Sequence, residues 1–393
     1  MSVAVEGVAT TRPAIVVTAL GIVQILAWGS SYYLLAVLAP MIVLDTGWSL
    51  PWVIGGLTGG LLAGGVTAPL IGGTIQQRGG KPVLICSMLL LSSGLALIGT
   101  ATWLPVYLVG WIIMGVGMAA GLYDAAFSTL GRLYGKNARR AITTLTLWGG
   151  FASTVCWPIT AYLGETYGWR TACLVYAGAH LLISLPLILA FIPAPGPASS
   201  PLLTADRPIP ARSPRATFYL LAVIFTIASL ISSMLGVHLL TLLQLRGHDL
   251  AAAVAFGALI GPSQVGSRVM DMVLGSRYHA VWTMMASTIL LAGGLVLLFM
   301  NLPVTGLAII IYGAGNGIFS IARGALPLTL FDPSTFAVLM GRLALPSLLV
   351  QAFAPSLGAA LIEMGGANLL LGAVAGLASI NVLLSIQLLA HRH

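Results

Sequence analysis

The sequence predicts an all-α integral membrane protein in which twelve transmembrane helices form two pseudo-symmetric six-helix bundles. Three observations carry that prediction. Of its 393 residues 58% are hydrophobic and only 7% are charged, with a mean hydropathy of +1.02, whereas about a quarter of the residues of a soluble domain are charged. The apolar runs approach the roughly 20 residues that cross a bilayer's hydrocarbon, and they are too numerous for a soluble core. Midway along the chain one polar stretch, IPAPGPASSPLLTADRPIPARSPRA, separates two halves that match one another.

Windows of about 19 residues place the cores of the spans at 15–39, 52–75, 83–102, 105–130, 142–163 and 172–192, then at 217–243, 252–275, 280–300, 304–330, 338–362 and 367–389. The first run follows a polar, mixed segment, Met1 to Pro13, and is about as long as a span, so it reads as a helix rather than a secretory signal. Arg12, Arg78, Lys81, Arg132, Lys136, Arg139, Arg140, Arg207, Arg212, Arg215, Arg277 and Arg392 fall on one side of that topology, and only Arg170 and Arg246 on the other. Cytoplasmic loops retain positive charge. Both termini are therefore expected in the cytoplasm, with the protein in the cell's inner membrane. The net charge of +8 follows from these loops, whose expected contacts are anionic lipid headgroups, not nucleic acid. The proline- and serine-rich stretch at 193–216 is expected to be a cytoplasmic linker between a bundle at 1–192 and another at 217–393.

The halves align in detail. SMLLLSSGLALIGTATWLPVYLVGWIIMGVG, from Ser87, lies over STILLAGGLVLLFMNLPVTGLAIIIYGAG, from Ser287, so that Gly94 meets Gly294 and, after a two-residue gap, Pro105, Gly115 and Gly117 meet Pro303, Gly313 and Gly315. Ser31 and Ser233, Gly59 and Gly261, Arg140 and Arg342, and Phe151 and Phe353 are each 202 residues apart. Apolar sequences match by chance at single positions; agreement at a steady offset argues for a duplicated unit, as in transporters with a central midplane site.

With six helices, a basic linker and six more helices, nearly the whole chain resembles the major facilitator superfamily of secondary transporters. GGTIQQRGGKP, after the second helix, is similar to that family's loop motif G-x-x-x-D-R-x-G-R-K. Gly73, Arg78, Gly80 and Lys81 stand at its positions, but Gln77 replaces its acid. The acid's part in a cytoplasmic charge relay therefore does not carry over. The fourth-helix motif R-x-x-x-G-x-G has Gly115 and Gly117 but Trp111 for its arginine, and the antiporter signature G-x-x-x-G-P-x-x-G-G is not recognisable in GGFASTVCWPITAYLG. The stretch GPSQVGSRVMDMVLGSR faintly resembles the monocarboxylate transporters, with the order of its charges reversed: Arg268 precedes Asp271.

Within this frame Asp124 is the acid that most needs a reason. On a continuous fourth helix it would lie roughly 12 Å along the axis from Arg132, inside the membrane. The repeat partner of that helix, YGAGNGIFSIARGALPL, carries Arg323 one position from the matching site. A charge at the centre of a membrane helix costs about 2.5–3.5 kcal/mol, so such residues face a cavity or a partner. The resemblance puts the fourth and tenth helices on opposite walls of a central cavity, which would let Asp124 and Arg323 close a cytoplasmic gate. A static pair, or an Asp124 held by Tyr123, Arg132 and interfacial water, is the alternative. Arg268 is either an anion contact or an intrahelical partner of Asp271. Gln24, Trp28 and Tyr32 recur every four residues and share a face, a polar-aromatic wall if that face meets a cavity; Asn316, His238, Gln264, Trp148 and Gln351 are further lining candidates or helix-packing residues. Gly59, Gly60, Gly64 and Gly65 would let helices approach closely.

Cys86, Cys156 and Cys173 fall in apolar runs and suggest neither disulfide nor metal. There is no phosphate-binding loop, metal-ligand spacing or nucleophile elbow, so the expectation is a protein without cofactor or catalysis, driven by a gradient. The leading expectation is a proton-coupled or facilitative secondary transporter, monomeric, whose partners are a small organic solute, protons and membrane lipids. An anionic solute is favoured by two intramembrane arginines. The alternative is a proton antiporter exporting drugs or metabolites.

Overall fold

The computed structural model describes residues 13–194, 214–274 and 278–390. Most of the expected linker, together with Arg12, Arg207, Arg212, Arg277 and Arg392, lies outside them.

Long apolar runs that cannot leave backbone groups unpaired in hydrocarbon have one local solution, the helix, and the described residues form helices joined by very short turns. In order they are α1 (Pro13–Ser30), α2 (Leu34–Thr46), α3 (Leu50–Arg78), α4 (Gly80–Thr100), α5 (Leu104–Gly121), α6 (Tyr123–Tyr134), α7 (Ala138–Gly150), α8 (Ala152–Tyr167), α9 (Trp169–Ala179), α10 (Leu185–Phe191), α11 (Pro214–Leu245), α12 (Leu250–Gly257), α13 (Ile260–Leu274), α14 (Ala280–Phe299), α15 (Thr305–Leu330) and α16 (Phe336–Ala390). Gly79 alone joins α3 to α4, and Gly168 joins α8 to α9, at φ of 81° and 84°. L-residues rarely adopt that region.

Among the described residues ten stretches are long and apolar enough to cross a membrane, and the last of them runs for 54 residues. A straight helix of that length would be roughly 80 Å long, more than twice a bilayer's hydrocarbon thickness. Instead α16 breaks at Gly365 and Gly366, the latter at φ 65°, into two passes. The pair α7 and α8, interrupted at Phe151, supplies the remaining pass expected from sequence. Several expected spans are likewise discontinuous: α1 and α2 are parted at Ser31–Tyr33, a π-helical turn, His180–Ser184, joins α9 to α10, and Leu122, in an extended conformation, parts α5 from α6. The fourth span at 105–130 is therefore not the continuous helix read from its hydropathy.

Apolar side chains point both inward and outward. One buried cluster draws on residues Val16 to Ile192, with Leu328, Phe336, Met340 and Ala352 added, and two others lie wholly from Leu221 onward. Leu44 and Leu182 are 86% and 79% exposed, sensible only where the surroundings are lipid. Glycine permits backbone contact inside the first half, where α3 meets α5: a Cβ on Gly60 would sit 2.7 Å from the Trp111 carbonyl oxygen, and one on Gly115 would strike Gly60 itself. Gly64 packs likewise on the Gly115 carbonyl and Gly65 on Leu348, whereas Gly59 has almost nothing near it.

The two halves also touch backbone to backbone. A Cβ on Gly341 of α16 would run into the Ala68 carbonyl of α3, and one on Gly72 into the Ala337 carbonyl. Nearby, Phe336 covers Gly131 of α6, and Phe127 and Ile142 cover Gly324 of α15. These contacts lie toward the end of the molecule that carries the basic loops. Gly341→Leu should wedge that end open while leaving each bundle's own packing intact, whereas Gly115→Leu, within one bundle, should lower stability by about 2 kcal/mol or more. Thermal unfolding of both variants, with cysteine accessibility at that end, checks this: labelling should rise in Gly341→Leu with little loss of midpoint.

Candidate functional site

Asp124 is the second residue of α6, immediately after the break at Leu122. A carboxylate in the first turn of a helix is favoured by the exposed N–H groups, by about 0.3–1 kcal/mol, so the break makes a place for the acid. Arg323 projects from the last third of α15 in the other half and grips it with one edge of its guanidinium: Nε donates to Oδ1 at 3.0 Å and Nη2 to Oδ2 at 2.9 Å. Its Nη1 reaches Ser229 Oγ on α11 at 3.3 Å. The side chains are only 13% and 21% exposed. Two parallel N–H···O bonds fix orientation as well as distance. Arg132, a possible partner of Asp124 on sequence grounds, turns elsewhere and donates to the Gln76 carbonyl of α3.

Gln24 holds the other side of the break. It is fully buried; its Nε2 donates to the carbonyl of Gly121, the last residue of α5, at 2.7 Å, and its Oε1 accepts from Trp28 Nε1 at 3.1 Å. Both groups of the amide are thus consumed, and the residue is a brace rather than a free polar wall. Trp28 lies 5.2 Å from Tyr123, 5.6 Å from Tyr32 and 6.0 Å from Tyr33 between ring centroids. Tyr33 extends the cluster to Trp157, and Tyr123 stacks on Phe127. Neither Tyr33 nor Trp157 was singled out by four-residue spacing, because Tyr33 lies in the turn that ends α1 and Trp157 comes from α8.

Arg268, on α13, is 5% exposed. Its Nη1 donates to the Thr146 carbonyl of α7 at 2.8 Å and its Nε to the Gly317 carbonyl of α15 at 3.3 Å. The Thr146 carbonyl also accepts from the Tyr123 hydroxyl, at 3.3 Å, so Arg268 is one link from the residue next to Asp124. The intrahelical pair with Asp271 does not form. Asp271 instead accepts from Thr283 Oγ1, which accepts in turn from Arg139 Nη2 across the halves. Among the described residues Arg268 is the sole charged side chain in the buried set, and no carboxylate pairs with it.

The remaining sequence candidates are dispersed. Asn316 Oδ1 accepts from Ser232 Oγ at 2.8 Å, His238 Nε2 lies 2.8 Å from the Pro355 carbonyl, and Trp148 packs on Gly21. Gly73 and Arg78 lie in α3, and Gly80 and Lys81 open α4 beyond the single joining residue Gly79. Gly80 is pressed against Thr129, Lys81 Nζ donates to the Leu189 carbonyl at 2.7 Å, and Gln77 and Arg78 are exposed.

A sequence model of the Major Facilitator Superfamily matches residues 20–273. The chain belongs to that superfamily. No curated protein sequence matches the chain, but solved structures do. The human organic anion transporter MFSD10 (TETRAN) superposes with a TM-score of 0.76 at 17% identity, over 95% of this chain and 99% of that one. FucP of E. coli in the outward conformation gives 0.72 at 13%, over 96% and 99%. The proton:xylose symporter XylE, bound to 6-bromo-6-deoxy-D-glucose, gives 0.71 at 11%, over 94% of each chain. At such identities the likeness is one of fold. The protein is thus a multi-pass membrane transporter of the Major Facilitator Superfamily, a family of small-molecule carriers.

In this superfamily member the acid missing from the loop at Gln77 is not replaced by another charge there; the contact made at that place is from Arg132 to a backbone carbonyl. The charge pair linking the halves is deeper, at Asp124 and Arg323. Neutralising either residue alone leaves the other buried without a partner, a loss of about 3–5 kcal/mol when fully buried and less at this exposure. Asp124→Asn combined with Arg323→Gln should therefore be milder than the two single losses added together, with a coupling of about 1–3 kcal/mol. Thermal stability and solute flux of the four proteins at two pH values check this. Simple additivity would mean that the two residues do not interact.

Proposed function

We propose that the protein carries a small organic anion by alternating access, with Arg268 as its charge-recognising residue and Asp124–Arg323 as a gate whose acid can take up a proton. The observation that carries the reading is the buried, unpaired guanidinium of Arg268. Two neutral carbonyls are poor recompense for a charge removed from water, whereas an anionic solute would complete it. Arg323 was an equal candidate on sequence grounds; its bidentate pair with Asp124 leaves Arg268 as the free charge in this state. The rings of Trp28, Tyr32, Tyr33 and Tyr123 lie close by and suit the carbon skeleton of such a solute.

On this reading the bundles at 1–192 and 217–393 rock about their interface. With the basic loops in the cytoplasm, the contacts at Gly72–Gly341 and Asp124–Arg323 shut the cytoplasmic side, and opening that side requires the pair to separate. Protonation of Asp124 removes the carboxylate charge and with it the main attraction to Arg323, which links proton uptake to opening. A structural neighbour that carries organic anions and two sugar carriers, both described as proton symporters, are compatible with this mode.

Arg268→Gln should fold and insert, because its carbonyl partners can be met by an amide, yet lose at least about tenfold in affinity for carboxylate solutes, or 1.4 kcal/mol. Binding and counterflow with a carboxylate panel in proteoliposomes, set beside uncharged analogues of the same solutes, measure this. Equal affinity in Arg268→Gln and the parent protein would remove the basis for an anionic substrate.

A further inference from the structure

At the end opposite the basic loops each half carries an arginine brace, and the two braces differ in their charge balance. In the first half the brace is an ion pair. Asp45, near the end of α2, accepts from Trp169 Nε1 at 3.0 Å and pairs with Arg170, both residues opening α9. Arg170 Nη2 also reaches the Ala101 carbonyl, just past α4, at 3.4 Å. In the second half the corresponding end of the third pass is Phe299, the last residue of α14. Its carbonyl too accepts from an arginine, Arg246 Nη2, at 3.3 Å. Here the arginine comes from just past α11, and its link to the start of the last pass is to a neutral group, Asn368 Oδ1, at 2.7 Å.

The second brace therefore carries a cation where the first carries a neutralised pair. No carboxylate pairs with Arg246 among the described residues, and its Nε is shut off from solvent without an acceptor. The neighbouring acid in sequence, Asp249, is engaged as the cap of α12, accepting from Ala252 N at 2.7 Å. Arg246 lines a narrow crevice, open to solvent, at the ends of α11, α14 and α15. His248 and Thr305, 3.3 Å apart, form its polar wall with Asn301. Asn301 is the one non-glycine residue at positive φ, 53°, among the described residues, a conformation asparagine tolerates better than most side chains.

We propose that this crevice binds a phosphate-type oxyanion, whose charge completes the second brace as Asp45 completes the first. Arg246 supplies the charge, and His248, Asn301 and Thr305 supply hydrogen-bonding groups. The ligand is either a phospholipid headgroup or free phosphate, since the crevice lies at helix ends, where headgroups meet water. It is separate from the transported solute and does not depend on what that solute is.

The test is the unfolding midpoint of the full chain in neutral detergent, titrated with inorganic phosphate, with phosphatidylglycerol or with diacylglycerol, for the parent protein, Arg246→Gln, Arg170→Gln and Arg268→Gln. Phosphatidylglycerol, phosphate or both should raise the midpoint by about 2 °C or more in the parent. The rise should persist in Arg170→Gln and Arg268→Gln, vanish in Arg246→Gln and be absent with diacylglycerol. A rise with phosphatidylglycerol alone assigns the headgroup as ligand; a rise with phosphate as well assigns the free oxyanion. The double change His248→Gln with Thr305→Val leaves the brace untouched and should raise the half-saturating concentration about fivefold or more. No rise in the parent with either phosphate source, an equal rise in Arg246→Gln, or an unshifted titration in the double variant would overturn the proposal.

Discussion

The bidentate contact of Asp124 with Arg323 is the constraint to which the other features of the interface are fitted. It joins two halves that otherwise meet mainly through glycine-permitted backbone contacts and apolar side chains, and it does so where water is scarce. A carboxylate there needs a compensating field, which the start of α6 provides. The start of α6 exists because the chain leaves the helical conformation at Leu122, and that interruption is affordable because the orphaned Gly121 carbonyl receives the Gln24 amide. Remove any one of these and the acid loses its position or its compensating contacts. On the proposed mechanism the same contact is the barrier to opening: if it contributes about 2 kcal/mol, its loss shifts the balance of states about 30-fold.

The two intramembrane arginines then divide their work by environment. Arg323 is fully engaged by a carboxylate and a serine, and its charge is neutralised within the protein. Arg268 has backbone carbonyls alone. Tyr123 ties the two together, since it is next to Asp124 in the chain and shares the Thr146 carbonyl with Arg268. A solute that draws Arg268 away from that carbonyl would also disturb the residue beside the gate acid, giving a short physical path from occupancy to gating. Arg139, bonded across the halves to Thr283 and to the Tyr278 carbonyl, adds a peripheral contact that must also yield.

Much of the fold was legible because hydropathy and glycine placement report directly on lipid-facing helices, and because duplication repeats the signal. The apposition of Asp124 and Arg323 was legible for the same reason: two charges at one depth on repeat-related helices have few ways to be satisfied in hydrocarbon except by each other. What was hidden depends on backbone groups, which every residue carries alike. Neither the extended conformation of Leu122 nor the π-helical turn at His180–Ser184 has a composition of its own, although Gly121 before an acid was a faint sign of the former. Gln24 and Trp28 could be placed on one face, but not the carbonyl that the amide serves. Arg268 and Asp271 were close enough in sequence to suggest a pair, and tertiary acceptors on other helices won. The charge relay that Gln77 rules out from the sequence has no substitute at that place: Arg132 bonds a backbone carbonyl within its own half, and the interface nearby rests on close-packed glycines.

The central claim is that Asp124–Arg323 holds the basic-loop ends of the two halves together. The most direct measurement is the distance distribution between spin labels at Asn137, beyond α6, and Thr329, near the end of α15, both exposed, in lipid bilayers. The parent protein should show a predominantly short distance, Asp124→Asn should move population to a longer one, and Asp124→Arg combined with Arg323→Asp should restore the short one. A distribution unchanged by Asp124→Asn would contradict the account.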